Sequence, residues 1–456
     1  MILPSNDWVR RLRRHMEIGT GRTREALPVF NRRLATGAGA VLLGLAALAF
    51  AKLGDLAQAR FRAIEAAWPW AALILTPLVF AGVVHIMRRR FPESRGSGIP
   101  QVIAASRDPV RAAHGPLVSL RTAGAKTAMT LAMLLVGGSV GREGPTVQLS
   151  AAIMVAVHRF LRVPITAGVL IAGGAAGVAA AFNTPLAGVA FAIEELASAY
   201  EQRVTLLVMA AVMISGLVSL GIAGDYVYFG AMGQTLSLRA MLLVTPLAGI
   251  AGGLTGGLFS RIVLAFAAPT RGWIKVVRAR PVLFAGLCGL VVAVLGLASH
   301  GMTWGTGYQP TRALVEGHGQ SLWFGPMKFV AALATTLSGA PGGVFAPSLS
   351  VGAGVGNLLA ALFPGDPAGA IVELGMIAYF TGVVRAPLTA VIIISETTAS
   401  RGLIIPLFAA ALIADMVSAL ICRERLYHGL AKPFLPPAQP PVAEGEADRD
   451  LQAPVA

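Results

Sequence analysis

Between Thr127 and Val157 the chain carries two charges, Arg142 and Glu143, side by side within Gly141-Arg142-Glu143-Gly144-Pro145. An ionisable side chain inside an apolar run of span length costs about 2.5–3.5 kcal/mol at a bilayer centre and marks a path for ions or protons. Glycine on each side lets the backbone approach a ligand, and Pro145 suits a helix's first turn. A carboxylate there is itself an anion at a helix N-terminus, so it would compete with any other anion for the same unpaired N–H groups. Three further stretches join small residues to a helix start or a polar group at depth: Gly96–Pro100, Gly343–Pro347 and the region of Tyr427. Helix N-termini converging in a low-dielectric interior would bind a small inorganic anion with no buried lysine or arginine touching it. Such an anion must also leave quickly, and strong charge pairing would trap it.

Each of these residues also has a plainer reading. Glu143 could simply stabilise its helix or pair with Arg142. Ser97 reads as the N-cap of a short buried helix, and Tyr427, beside Arg425, as an interfacial anchor. One of Glu194 and Glu195 could serve a structural ion pair. Lys126 reads as a buried counter-charge rather than an anion ligand. The seven histidines show no metal-ligand spacing. Gly249–Gly257 follows no phosphate-binding pattern and reads as close helix packing. Cys288 and Cys422 lie in apolar segments, which indicates neither a disulfide framework nor a thiolate site.

The elements that must carry these groups are membrane spans. The 456 residues are 55% hydrophobic and 13% charged, about half the charge of a soluble domain. The net charge of +15 comes from arginines in short loops between apolar runs, the pattern of positive-inside topology rather than of a polyanion binder. Eight arginines before Leu34 place the N-terminus in the cytoplasm and exclude a cleavable signal peptide. Spans are expected over 34–51 and 68–87, returning the chain to Arg88-Arg89-Arg90. A half-helix follows Gly96–Pro100 and ends by Ser106, too short to cross. Spans or broken spans follow over 127–141, 144–157 and 164–193, the last interrupted at Phe182-Asn183-Thr184-Pro185. Full spans are expected over 204–224, 240–260 and 281–299. An uncharged run from Phe329 to Gly365 breaks at Ser338–Gly343, and pieces over 374–384, 386–395 and 402–422 complete the membrane part. Beyond Pro433 the chain turns Pro- and acid-rich and reads as disordered.

A repeat runs through this order. Lys126, Gly141, Pro145, Pro185, Leu186 and Glu194 recur 202 positions later as Lys328, Gly343, Pro347, Pro387, Leu388 and Glu396. Paired repeats with Gly/Pro-interrupted segments at matching places put a substrate site at the repeat interface. Glu194 has a counterpart, which favours a structural role. Glu195 is matched by Thr397, so its carboxylate belongs to the first half alone. The chain divides as 1–33, a basic cytoplasmic segment; 34–224, a first membrane repeat; 225–433, a second; and 434–456, a tail.

Gly-Ser-Gly-Ile-Pro at 96–100, Gly-Arg-Glu-Gly-Pro at 141–145 and Gly-Val-Phe-Ala-Pro at 343–347 together resemble the CLC chloride channel and transporter family. Phe182–Gly188 and Arg385–Thr389 extend the resemblance, which covers about Arg33 to Lys432. It implies an all-α polytopic membrane fold of two inverted repeats with broken and tilted helices, a homodimer, and one pore per subunit. By position, Ser97 and Tyr427 resemble the hydroxyl ligands of the anion site, completed by the N–H groups of Val344 and Phe345. Glu143 resembles the gating glutamate, and Glu195 the internal proton relay of the antiporters. Gln101 and Ile103 stand where some antiporters carry acids near the inner proton entrance. Serine at 97 points to chloride over nitrate, and Tyr427 argues against the fluoride-exporting branch.

The expectation is transmembrane chloride transport by H+/Cl− antiport in a bacterial inner membrane, with both termini cytoplasmic. Chloride and protons would be its partners, with the lipid bilayer and a second copy of the chain; no nucleic acid, cofactor or metal is expected. The alternatives are a passive, voltage- or pH-gated chloride channel of the same fold and an intramembrane enzyme using Glu143 and Glu195 as an acid/base pair. No nucleophile–base pattern accompanies the enzyme reading.

Overall fold

The computed structural model describes residues 7–196, 202–224, 229–230, 232–268, 272–398, 400 and 402–435. The first half runs through α1 (Asp7–Ala67), α2 (Ala71–Arg90), α3 (Ile99–Arg107), α4 (Pro109–His114), α5 (Leu120–Leu134), α6 (Glu143–Phe160), α7 (Ala167–Phe182), α8 (Pro185–Phe191) and α9 (Gln202–Ala223). The second runs through α10 (Leu238–Ala267), α11 (Trp273–Ala279), α12 (Pro281–Ala298), α13 (Tyr308–Val315), α14 (Phe324–Leu337), α15 (Phe345–Ala360), α16 (Ala368–Val384), α17 (Pro387–Thr398) and α18 (Ile404–Ile421), followed by a short α19 (Leu426–Ala431). Among the described residues, six helices are long and apolar enough to cross a membrane, and the protein is a multi-pass membrane protein. The expected disordered tail lies outside the described residues from 436 onward.

The first span departs most from expectation. Its apolar run ends near Ala51, but the membrane-length helix continues from Phe30 to Ala67, 38 residues in all. Lys52, Asp55, Arg60 and Arg62 interrupt hydrophobicity without interrupting helix propensity, because the segment is rich in Ala, Leu, Arg and Gln. It stops where Trp68 precedes Pro69, a pairing that disfavours helical backbone. At 1.5 Å per residue the helix is about 57 Å long, nearly twice the hydrocarbon thickness, so it tilts or overhangs.

The halves match in their longer helices, while α4 and α11 have no counterpart. α1 packs on α6, α7 and α9 as α10 packs on α15, α16 and α18. The helix breaks match as well: Asn183 and Arg385, 202 positions apart, both take left-handed backbone at the ends of α7 and α16. At the centre, the N–H of Gly141 donates to the carbonyl of Gly343 and the N–H of Gly343 to the carbonyl of Gly141, each at 2.8 Å, in an antiparallel bridge. This pairs each residue with its own repeat partner, which requires a two-fold relation. α6 and α15 begin on either side of the bridge and run apart, so the repeats are inverted. A second reciprocal exchange lies nearby. Glu194 accepts from the backbone N–H of Leu388 (2.9 Å) and Thr389 (2.7 Å), while Glu396 accepts from those of Leu186 (3.4 Å) and Ala187 (3.0 Å). Each carboxylate caps a helix of the other half, the structural role expected for Glu194.

Candidate functional site

Ser97 lies one residue before the N-cap of α3, which is Gly98 at φ +113°, and makes no cap bond. This corrects the N-cap reading. A side chain at 98 would press on the carbonyl of Gly144 (2.6 Å) and on Gln148, and glycine avoids this. The motif is pinned instead through Gly96, whose carbonyl accepts from Lys126 Nζ (3.1 Å) and from the N–H of Gly342 (3.1 Å). Lys126 is therefore a tether for backbone carbonyls rather than a counter-charge. The Ser97 hydroxyl is left against the Cα side of Gly144.

Tyr427, on α19, is fully buried, which rules out an interfacial anchor. Its ring stacks on Phe345, with centroids 6.0 Å apart and planes 14° from parallel. Phe345 in turn packs on Phe182, Phe191 and Phe380, so the first turn of α15 and the phenol are fixed together. The Ser97 and Tyr427 hydroxyls lie side by side. Both are buried and out of hydrogen-bond alignment with each other and with every described group. Burying an unsatisfied hydroxyl costs about 1–3 kcal/mol, so the fold retains two donors for a ligand.

Ser97, Val344 and Tyr427 line one cavity of about 230 Å³. Arg88, Arg95 and Arg278 also line it, and no carboxylate among the described residues does. That lining concentrates anions in front of the hydroxyls. Its sequence signal was split: Arg88 ends α2, Arg95 precedes α3 and Arg278 lies on α11.

Glu143 is buried at the first position of α6, beyond the glycine bridge. Its carboxylate folds back over Gly141 on the side of the Ala346 N–H and accepts a hydrogen bond from the Tyr308 hydroxyl. Tyr308 lines a second cavity of about 200 Å³, with Asp55, Gln58, Arg62 and Thr306. Arg142 does not close onto its neighbour Glu143; its guanidinium reaches Asp55 (2.7 Å) and the Ala51 carbonyl (2.6 Å) and lies 5.7 Å from the Tyr308 ring. The carboxylate thus stands between the two cavities, with Gly144 touching Ser97 on one side and Tyr308 on the other.

Sequence reasoning missed Tyr308. Gly305-Thr306-Gly307-Tyr308 is the repeat partner of Gly96-Ser97-Gly98-Ile99, displaced by 209 positions rather than 202. The backbone shows the match: Gly305 has φ +62° where Gly96 has +61°, and Lys328 holds the Gly305 carbonyl (2.8 Å) as Lys126 holds that of Gly96. A side chain at Gly307 would meet Ser350, the repeat partner of Gln148. Gln148 itself borders Gly98.

Glu195 lies in a single π-helical turn, Ala192–Leu196, of the kind often found at functional sites. It is buried, and neither oxygen makes an aligned hydrogen bond among the described residues. Its nearest ionisable neighbour is His428.

Inverted repeats of interrupted helices whose N-termini meet around unsatisfied hydroxyls define a membrane protein built to pass a small anion through its centre. The sequence pattern of the voltage gated chloride channel family matches residues 78–419, and the chain belongs to that family. It is 32% identical over 391 residues to an H(+)/Cl(−) exchange transporter ClcA of Yersinia pestis, covering 80% of this chain and 77% of that protein. To the ClcA of Vibrio vulnificus it is 34% identical over 374 residues, 77% of each. The fold is similar to that of a slow cyanobacterial Cl−/H+ antiporter, with TM-score 0.74 and 24% identity over 89% of this chain and 98% of that one. It is also similar to a CLC-type fluoride/proton antiporter, with TM-score 0.72 and 21% identity over 85% and 95%.

Proposed function

We propose that the protein exchanges chloride for protons across a bacterial inner membrane, as a homodimer with both termini in the cytoplasm and without cofactor, metal or enzymatic chemistry. The hydroxyls of Ser97 and Tyr427 and the N–H groups of Val344 and Phe345 bind chloride. Glu143 is the gate, and Glu195 relays protons. One observation carries the reading: two buried carboxylates flank the pair of unsatisfied hydroxyls. Glu143 reaches it through Gly144 against Ser97, and Glu195 through His428 next to Tyr427. Chloride and the Glu143 carboxylate compete for the same N–H groups, so protonating the gate frees the seat, and proton and anion occupancy become linked. The ClcA relatives, named as H(+)/Cl(−) exchange transporters, support exchange over a passive channel.

The test is reconstitution into proteoliposomes under a chloride gradient, with chloride and proton movement recorded together. Exchange predicts a lumenal pH change opposed to the chloride gradient, lost in Glu143→Ala and in Glu195→Gln. Robust chloride efflux at constant lumenal pH would establish the passive channel instead.

A further inference from the structure

Given the exchange reading above, Glu195 needs a route to water, and its own side chain has none: its exposure is 0%. His428 Nδ1 stands 3.3 Å from Glu195 Oε1, and the imidazole is 31% exposed. Arg423, Glu424, Arg425 and Lys432 surround His428 in sequence, so the exposed edge faces water and headgroups rather than hydrocarbon.

We propose that His428 is the proton entry to Glu195. An imidazole can carry a proton on either nitrogen, which suits a relay. A proton from water binds Nε2 on the exposed edge; the N–H bond at Nδ1 breaks, and its proton forms the O–H bond on Glu195 Oε1. The ring is left neutral with its hydrogen on Nε2; because Nδ1 is buried against Glu195, a swing of the side chain that brings Nδ1 to water recharges it for the next proton.

The other charged groups around α19 are otherwise engaged. Arg425 donates to the Glu194 carbonyl (3.3 Å), Glu194 caps α17, and Glu424 pairs with Lys432 (2.5 Å). Of the helices packed on α19, α3 carries only Arg107 and α10 only Arg239 and Arg261. Glu373 of α16 is buried. On α3, Gln101 is also buried, its amide spent on the Glu93 and Arg95 carbonyls (2.9 and 2.7 Å), and it cannot carry a proton. Of these groups, His428 combines close approach to Glu195 with exposure to solvent.

The experiment compares wild type, His428→Gln and His428→Glu in proteoliposomes, recording protons moved per chloride, with chloride binding by calorimetry as the check on folding. Glutamine keeps a hydrogen-bonding side chain without titration and should lower the proton-to-chloride ratio at least fivefold; glutamate, which can carry a proton, should recover much of it. A wild-type ratio in His428→Gln overturns the relay, and so does an equal loss in both variants, which would make the histidine a packing residue only. Wild-type chloride flux with no proton flux overturns the exchange reading itself and the relay with it.

Discussion

Tyr308 donates its hydroxyl to the Glu143 carboxylate, so the proposed gate of the first half is held by a residue of the second. Tyr308 occupies the repeat position of Ile99, where the first half has no hydroxyl to offer. Phe229 braces its ring edge-on, with centroids 5.5 Å apart. A hydrogen bond to a charged group contributes about 1.5–3 kcal/mol, so the phenol slows departure of the carboxylate from its seat. Tyr308→Phe should raise chloride turnover at neutral pH by about tenfold or more while protons remain coupled, because Glu143 is intact. Stopped-flow or electrode recording of chloride efflux measures this. An unchanged rate would show that the bond does not limit the cycle, and the effect should vanish in a Glu143→Gln background.

On the proposed reading, the paired hydroxyls of Ser97 and Tyr427 would face chloride as neutral donors, each contributing about 0.5–1.5 kcal/mol. Ser97→Ala and Tyr427→Phe should each weaken chloride binding about two- to tenfold, as read by calorimetry on purified protein. Neither substitution removes bulk from the stacked Tyr427–Phe345 rings, so folding should be unaffected. Wild-type affinity in both variants would move the anion away from this pair.

Much of this arrangement is legible in one sequence because residues 126–194 match residues 328–396 without a gap. A fixed offset of 202 identifies the bridge glycines, the two lysines and the reciprocal Glu194 and Glu396 caps. Prolines 185 and 387 mark breaks whose backbone cause, left-handed Asn183 and Arg385, needs coordinates. The length of α1 was hidden because hydrophobicity was used to locate helices, and Asp55 and Arg62 interrupt the first without the second. Tyr308 was hidden by a seven-residue slip in register outside the gapless stretch. His428 was hidden differently: it is next to Tyr427 in the chain, but its partner Glu195 is brought to it only by the fold.

The two reciprocal caps should not contribute equally. Glu194 accepts from two backbone N–H groups and the Thr389 hydroxyl at 2.7–2.9 Å, whereas Glu396 accepts from two N–H groups at 3.0–3.4 Å. Both are half-buried, so solvent screening reduces each below the full charged hydrogen-bond value. Glu194→Ala should cost about 2 kcal/mol and Glu396→Ala about 1 kcal/mol. Thermal unfolding in detergent would rank them, and the reverse order would show that distance does not govern these caps.

Alanine at the two bridge glycines should separate gating from folding, although the pair is symmetric in the backbone. At Gly141 a methyl group would collide with an oxygen of Glu143, the movable end of a side chain, and would come within 3.1 Å of Pro347 Cδ. Gly141 does not require left-handed backbone, so the chain can accommodate alanine by pushing the carboxylate off its seat. At Gly343 the methyl would instead meet backbone, the Gly144 nitrogen at 3.0 Å and the Gly141 carbonyl at 3.1 Å, which cannot swing away. Gly141→Ala should therefore yield folded protein with faster chloride flux and at least a fivefold lower proton-to-chloride ratio. Gly343→Ala should lower the unfolding temperature and the yield, because the bridge itself must open. Proteoliposome flux for the first and thermal unfolding for the second are the measurements. Normal coupling in Gly141→Ala would mean that the carboxylate does not rest over that glycine when the gate is shut, and the competition between Glu143 and chloride would lose its geometric basis.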